Sequence, residues 1–204
     1  MAALPPSDIP STVEVTDPRT LRGLAHPVRM ALIGLLRREG PMTATQAGER
    51  IDESPASCSF HLRQLAKYGL VEEAGGGRAR RRPWRATAHS TSWPSVSSDP
   101  DQMAAATQLS QVVAGRYHLA TIEYLERCHA EPVEWQRAGG FGDTFLCLTA
   151  AELAHLGEEL DALLAPYAAR VREPGLRPQG ARHVTFIRVA IPEGPAEGWS
   201  GQPR

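Results

Sequence analysis

The stretch of residues 43–71 constrains the fold of this chain more than any other, because it carries start signals for two consecutive helices. Thr43 is followed three residues later by Gln46, which is the spacing of a capping box that satisfies free N–H groups at a helix start. Ser54 and Pro55 then supply an N-cap and a residue suited to the first helical position. The spacing therefore predicts two short helices joined by a tight turn.

The second of these helices, residues 54–67, has one apolar and one polar face. Cys58, Leu62 and Leu65 recur at helical spacing, so they form a stripe that must face a core. A thin buried stripe beneath a broad polar and basic face is typical of a helix that enters a DNA groove. The candidate DNA-contacting residues of the two helices are Thr43, Thr45, Ser54, Ser57, Ser59, Phe60, His61, Arg63, Gln64 and Lys67.

The segment after the second helix predicts a β-hairpin with a basic tip. A strand beginning at Leu70 and a returning strand ending at Ala88 flank a glycine-rich turn around Gly77. Such a hairpin behind a helix-turn-helix is a wing, and clustered guanidinium groups suit phosphate oxygens or a narrow minor groove. The arginines expected to contact DNA are Arg78, Arg80, Arg81 and Arg82, with Arg85 on the same arm.

The distribution of charge separates this region from the rest of the chain. Residues 18–88 hold 13 basic and 6 acidic residues, a net charge of +7, whereas the remainder holds 9 and 17, a net charge of −8, within a total of −1. A basic half suits a polyanionic partner. The alternative is a pair of ordinary amphipathic helices in a bundle, with a polar face that is merely solvated.

Two motifs in this region resemble the winged-helix repressors of the ArsR type: Leu24-Ala-His-Pro-Val-Arg29, and Ser57-Cys-Ser-Phe-His-Leu-Arg-Gln-Leu65 followed by Gly69-Leu-Val71. The resemblance covers roughly residues 17–88. It implies a homodimer that reads a pseudo-palindromic operator as a transcriptional repressor, with the second helix in the major groove. Metal-sensing members carry a closely spaced cysteine pair in that helix, whereas Cys58 stands alone, so no metal site is expected there.

A long helix from Asp99-Pro100 to about Cys128 has apolar residues on more sides than one neighbour can cover. The surplus predicts a homodimer, which also places two recognition helices about one turn of DNA apart, ~34 Å. The alternative is that the chain's own C-terminal segment covers the helix. The predicted interface residues are Leu109, Val112, Val113, Tyr117, Ala120 and Tyr124.

The C-terminal part predicts a strand, a helix and a second strand. Thr144–Leu148 and Arg182–Ile191 have strand-like apolar composition, and Thr149 with Glu152 forms a second capping box before a leucine-striped helix. The fold class is therefore mainly α with a small β component (α+β). The predicted regions are a disordered arm (1–16), a winged helix-turn-helix domain (17–88), a linker (89–99), a dimerisation and accessory region (100–191) and a flexible tail (192–204).

No catalytic fingerprint is present in the sequence, so we expect no enzyme activity, no cofactor and no metal site. The alternatives are a ligand- or metal-responsive sensor, or a protein-interaction module whose winged helix does not read DNA. An ion bridging two copies could recruit His118 and His129, and a small-molecule effector could bind near Trp135, Phe141 and Phe145, which could equally be core residues. The N-terminus has no signal-peptide pattern and no stretch is long enough to span a bilayer, so a cytoplasmic protein that binds no membrane is expected.

Overall fold

The computed structural model describes residues 10, 12–75 and 82–193 of the chain. Its helices are α1 (Pro18–Leu24), α2 (Pro27–Glu39), α3 (Ala44–Ile51), α4 (Pro55–Lys67), α5 (Pro100–Arg127), α6 (Val133–Ala138) and α7 (Ala150–Arg172). Its strands are β1 (Thr12–Glu14), β2 (Val71–Glu73), β3 (Trp84–Ala86) and β4 (Ser90–Ser92). The predicted class, mainly α with a small β component, is confirmed. In the part of the chain so described, none of the helices is long and apolar enough to cross a membrane.

The helix starts follow the capping signals of the sequence. Asp17 accepts a hydrogen bond from the Thr20 backbone N–H at 2.8 Å and so caps α1. Both halves of the capping box before α3 are formed, and the same arrangement precedes α7. Proline occupies the first helical position of α1, α2, α4 and α5, where it needs no donor. Local chemistry therefore accounts for where these helices begin.

The buried core is built from α1 to α4, the two strands of the wing and the first half of α5. The long helix α5 packs mainly against α1 and also touches α2. The largest fully buried side chains are Leu21, Leu24, Leu32, Ile33, Leu62, Leu65, Leu70, Leu109, Val71 and Cys58. The core thus holds α4 by its apolar stripe and leaves the opposite face in solvent.

The wing is confirmed as an antiparallel pair of β2 and β3, with Val71 opposite Ala86 and Glu73 opposite Trp84. An isolated bridge joins Trp84 to Met42, through backbone hydrogen bonds of 2.8 and 3.1 Å. This bridge ties the wing to the loop before α3. The wing and the helix-turn-helix are therefore held as one unit.

The prediction of a disordered arm over residues 1–16 is wrong for its last part, and the linker 89–99 is not wholly irregular. Strand β1 pairs in parallel with β4, with Val13 opposite Thr91, and Val15 is buried. Arg37 of α2 donates to the Ala88 carbonyl at 2.9 Å and to the Thr91 hydroxyl at 2.7 Å. Because partners far apart in sequence supply these bonds, the local composition of the two segments did not reveal them.

The predicted C-terminal strand–helix–strand unit is wrong in its two strands. In the described residues neither 144–148 nor 182–191 forms a strand, and a short helix, α6, precedes the first of these segments. Phe145 and Val184 are 81% and 70% exposed. A strand exists only through the hydrogen bonds of a neighbouring strand, and the described residues of one copy supply no such strand beside these segments. The helix between them, α7, is confirmed.

Candidate nucleic-acid interface

The turn between α3 and α4 is tight because the backbone passes directly over Gly48. Asp52 ends α3 with a positive φ of 54°, a left-handed conformation that Asp tolerates better than most residues. The Glu53 N–H then donates to the Gly48 carbonyl at 3.0 Å. A Cβ placed on Gly48 would lie less than 3.0 Å from the Glu53 carbonyl oxygen. Glycine at this position therefore permits the angle at which α4 leaves α3.

Helix α4 presents one exposed face, opposite its buried stripe. Phe60, Arg63 and Lys67 are exposed on this face, with Phe60 at 50% of its free area. Ala56 is also exposed and lies four residues before Phe60, so it starts the same row. We call Ala56, Phe60, Arg63 and Lys67 the outward row of α4. Ala56 was not among the sequence-based candidates, although the i, i+4, i+7 spacing would have found it.

The other candidates on α4 flank the outward row or cap the helix. Ser57, Ser59 and Gln64 are half-buried at its edges. The Ser54 hydroxyl accepts from the Ser57 N–H at 3.1 Å and is exposed at the helix start. Hydroxyls and free N–H groups at a helix start suit a phosphate oxygen.

The α3 candidates also lie at a helix start. The Thr43 hydroxyl accepts a hydrogen bond from the Gln46 N–H at 3.3 Å, so this hydroxyl is already engaged in capping α3. Thr45, one residue into α3, is exposed. Of these two, Thr45 has the side chain that is free to reach a nucleic acid.

His61 is the candidate that the structure removes from the interface. It is only 9% exposed, and its ring lies 4.5 Å from that of His26 on the core side of α4. The correction has a geometric cause, since His61 precedes the buried Leu62 by one residue and follows Cys58 by three. Burial and the nearby Arg29 lower the pKa of both histidines. His26, at the corner before α2, packs against His61.

The wing arginines fall into two groups. Arg78, Arg80 and Arg81 lie outside the described residues. Arg82 is exposed and paired with Glu73 at 2.7 Å, and Arg85 pairs with Glu72 at 2.6 Å across the hairpin. Exposed pairs of this kind contribute roughly 0–1 kcal/mol. A phosphate could therefore compete for these guanidinium groups at little cost.

The predicted dimer contacts divide between the core and the surface. Leu109 and Val113 lie in the core of their own chain, so assigning them to a dimer interface is wrong. Within one chain α5 packs mainly against α1, a neighbour that the periodicity of α5 could not identify. Val112, Tyr117 and Tyr124 are half-buried and Ala120 is exposed.

The residues considered for metal and effector binding are dispersed. In the ranges that the structure describes, no three His, Cys, Asp or Glu side chains are grouped closely enough to hold a metal ion. His118 and His129 are exposed on α5 and just beyond it. Phe141 and Phe145 are exposed, and Trp135 lies under the Arg182 guanidinium, 4.6 Å from its ring centre. These three aromatic residues line neither of the clefts described below.

Comparison with known proteins assigns residues 24–74, a quarter of the chain, to a domain family. Residues 24–74 match the family profile described as a helix-turn-helix domain. Among solved structures, a MarR family regulator from Neisseria meningitidis aligns over 72% of this chain and 79% of its own, with 20% identity and a TM-score of 0.29. Among the curated proteins, none matches. With the wing described above, the chain contains a winged helix-turn-helix domain, the type found in DNA-binding transcriptional regulators.

Proposed function

We propose that the chain is a homodimeric, sequence-specific transcriptional repressor of the ArsR type. In this proposal α4 lies in the major groove of a pseudo-palindromic operator, and the wing contacts the backbone or the minor groove. Residues 17–88 form the DNA-binding domain, and residues 100–191 form the dimerisation and accessory region. The repressor role is the one that the ArsR-like motifs imply.

The outward row of α4 is the observation that carries the DNA-binding proposal. The helix is anchored in the core by Cys58, Leu62 and Leu65, all of them fully buried, so its exposed face is presented rigidly. Arg63 and Lys67 bring positive charge to that face, and neither forms an ion pair in the described residues. Phe60 adds an apolar surface that suits a thymine methyl group.

The distribution of apolar side chains supports a dimer. Every buried apolar residue in the described ranges lies between Val15 and Val113. Beyond that point large apolar side chains are exposed on α5, on α7 and on the extended segments around them, including Leu119, Ile122, Leu163, Phe186 and Ile191. Exposed apolar area on this scale marks a surface that a partner covers. A second copy is the partner that a palindromic operator requires.

Selection of bound sequences from random duplex DNA tests the proposal and yields the operator sequence in the same experiment. The full-length chain should enrich an inverted repeat whose half-sites are about one helical turn, or a multiple of it, apart. Fluorescence anisotropy on the enriched site should show affinity that falls steeply with salt. Arg63→Ala should lower specific affinity and relax preference at one base position, whereas Lys67→Ala should weaken all sequences alike if it contacts phosphate.

Arg127→Ala is a matched control, because it removes one exposed arginine at the far end of α5. The variant should bind DNA within about twofold of the affinity of the unaltered protein, since Arg127 lies outside the winged helix. Failure to enrich any sequence at low salt would overturn the DNA-binding proposal. Enrichment of single half-sites without a repeat would overturn the dimer.

A further inference from the structure

Two neighbouring clefts open beside α5, the first towards residues 187–189 and the second towards α2 and β4. The first, of about 380 Å³, has mainly apolar walls that include Trp93, Val113, Tyr117, Ile187 and Val189. The second, of about 210 Å³, lies between α2, α5 and β4. Trp93, Val113 and Tyr117 line both, so the two clefts adjoin. The Trp93 indole N–H donates to the Ser110 hydroxyl at 2.9 Å, which holds the ring in place between them.

The second cleft differs from the first because two guanidinium groups line it. Arg37 comes from α2 and Arg116 from α5. Arg38 lies beside them, because it packs over Gly34 together with Arg116. A Cβ added at Gly34 would lie 3.0 Å from a terminal nitrogen of Arg38 and 3.1 Å from a terminal nitrogen of Arg116. The missing side chain at Gly34 is what lets these groups converge on α2.

This arginine cluster, Arg37, Arg38 and Arg116, has no carboxylate in ion-pair contact among the described residues. None of the three forms an ion pair in the described part of the chain, although Glu39 is close enough to influence Arg38. Burial, and then the charge of Arg116, lower the pKa of Arg37 to about 10. Arg37 and Arg116 are half-buried and Arg38 is exposed, and cations that are partly withdrawn from water are normally paired. Arg37 and Arg116 instead donate to neutral oxygens of Ala88, Thr91 and Met30.

We propose that these clefts form a binding site for a small organic anion with a flat apolar body. Its carboxylate lies against Arg37 and Arg116, and its body lies between the Trp93 and Tyr117 rings. Guanidinium groups bind carboxylates through paired, charge-assisted hydrogen bonds, and aromatic walls exclude water from them. Such a ligand joins α2 of the winged helix to the long helix α5. Its regulatory role rests on the proposed function, whereas its binding does not.

A second copy of the chain is the competing occupant, because the first cleft is open to solvent on the side of α5. The arginine cluster decides against it. Filling the clefts with apolar side chains would leave the two guanidinium groups further desolvated and still unpaired, which is costly. A bound anion, in contrast, pairs with both guanidinium groups.

Isothermal titration of the full-length protein with 1-naphthoate, and separately with 1-naphthamide, tests the site. The two probes share the ring system and differ in charge. Naphthoate should bind at least about tenfold more tightly than the amide, because only the anion forms charge-assisted bonds. Arg116→Gln should abolish most of that preference and leave the amide's affinity within about twofold, whereas Arg116→Lys should retain part of it.

Arg127→Gln, on the same helix but outside both clefts, is the control and should behave as the unaltered protein. Equal affinity for acid and amide, or an unchanged preference in Arg116→Gln, would overturn the proposal. Absence of binding by either probe would also overturn it, and is the result expected if a second copy fills the clefts. If Arg116→Gln does not fold, as judged by circular dichroism, the ratio of naphthoate to naphthamide affinity is measured in Arg116→Lys instead. An unchanged ratio in that variant would overturn the proposal. The titration contains no DNA, so its failure is distinct from failure of the proposed function.

Discussion

Replacing Gly48 by alanine tests whether the α3–α4 turn depends on close backbone contact. The added Cβ would lie less than 3.0 Å from the Glu53 carbonyl oxygen, a separation that real Cβ atoms essentially never show. The obstructing atom belongs to the backbone, and Glu53 is itself held by its hydrogen bond to the Gly48 carbonyl at 3.0 Å. The turn must therefore shift, and α4 must shift with it.

The size of the effect follows from two opposing contributions. Overpacking in a close-packed site costs roughly 1–3 kcal/mol, and a backbone obstruction belongs at or above the upper end of this range. Alanine in a helix interior is more favourable than glycine by about 1 kcal/mol, which offsets part of this cost. We therefore expect Gly48→Ala to lower the free energy of unfolding by about 2 kcal/mol, which for a chain of this size lowers the Tm by roughly 4–8 °C.

Gly115→Ala is the matched control, since Gly115 lies inside α5 and a Cβ there meets nothing within 4 Å. It should raise stability by about 0.5–1 kcal/mol. Both variants are to be compared with the parent by urea titration followed by circular dichroism, at one protein concentration because self-association would make the measured stability depend on concentration. If Gly48→Ala is as stable as the parent, the close approach of Glu53 does not control the turn, and the reasoning is refuted.

Three further predictions concern the histidine pair, the exposed apolar face and the wing. The pKa of His26 and of His61 lies below the usual 6.5 in the folded protein, so below that pH the unfolded chain binds more protons than the folded one. The free energy of unfolding should therefore fall as the pH drops below about 6.5. A variant in which both histidines are replaced by glutamine should show a weaker dependence of Tm on pH in thermal melts. Ile122→Glu should shift sedimentation velocity from dimer to monomer, whereas Gln111→Glu, at an exposed polar position of α5, should not. Glu73→Gln removes the carboxylate that pairs with Arg82 and should strengthen binding to random DNA at low salt, with a stability change under about 1 kcal/mol; unchanged anisotropy titrations would contradict it.

The helices and the wing could be predicted from the sequence because their signals act over a few residues. The capping boxes at Thr43 and Thr149, the prolines at first helical positions and the stripe of α4 specify local backbone geometry whatever packs around it. The glycine-rich turn between two short apolar runs likewise predicted the hairpin. These elements appear where the sequence places them.

Tertiary structure alone decided which neighbour covers each side chain. Leu109 and Val113 were expected to meet a second copy, yet they are buried within their own chain, and His61 packs against His26 instead of facing DNA. Strand β1 forms because β4, 78 residues further along, supplies its hydrogen bonds, while 144–148 and 182–191 have the composition of strands but no partner strand in the part of one copy that the structure describes. The sequence by itself determined local backbone conformation and the amphipathic faces. Burial and strand pairing depend on contacts between distant segments, which no local pattern encodes.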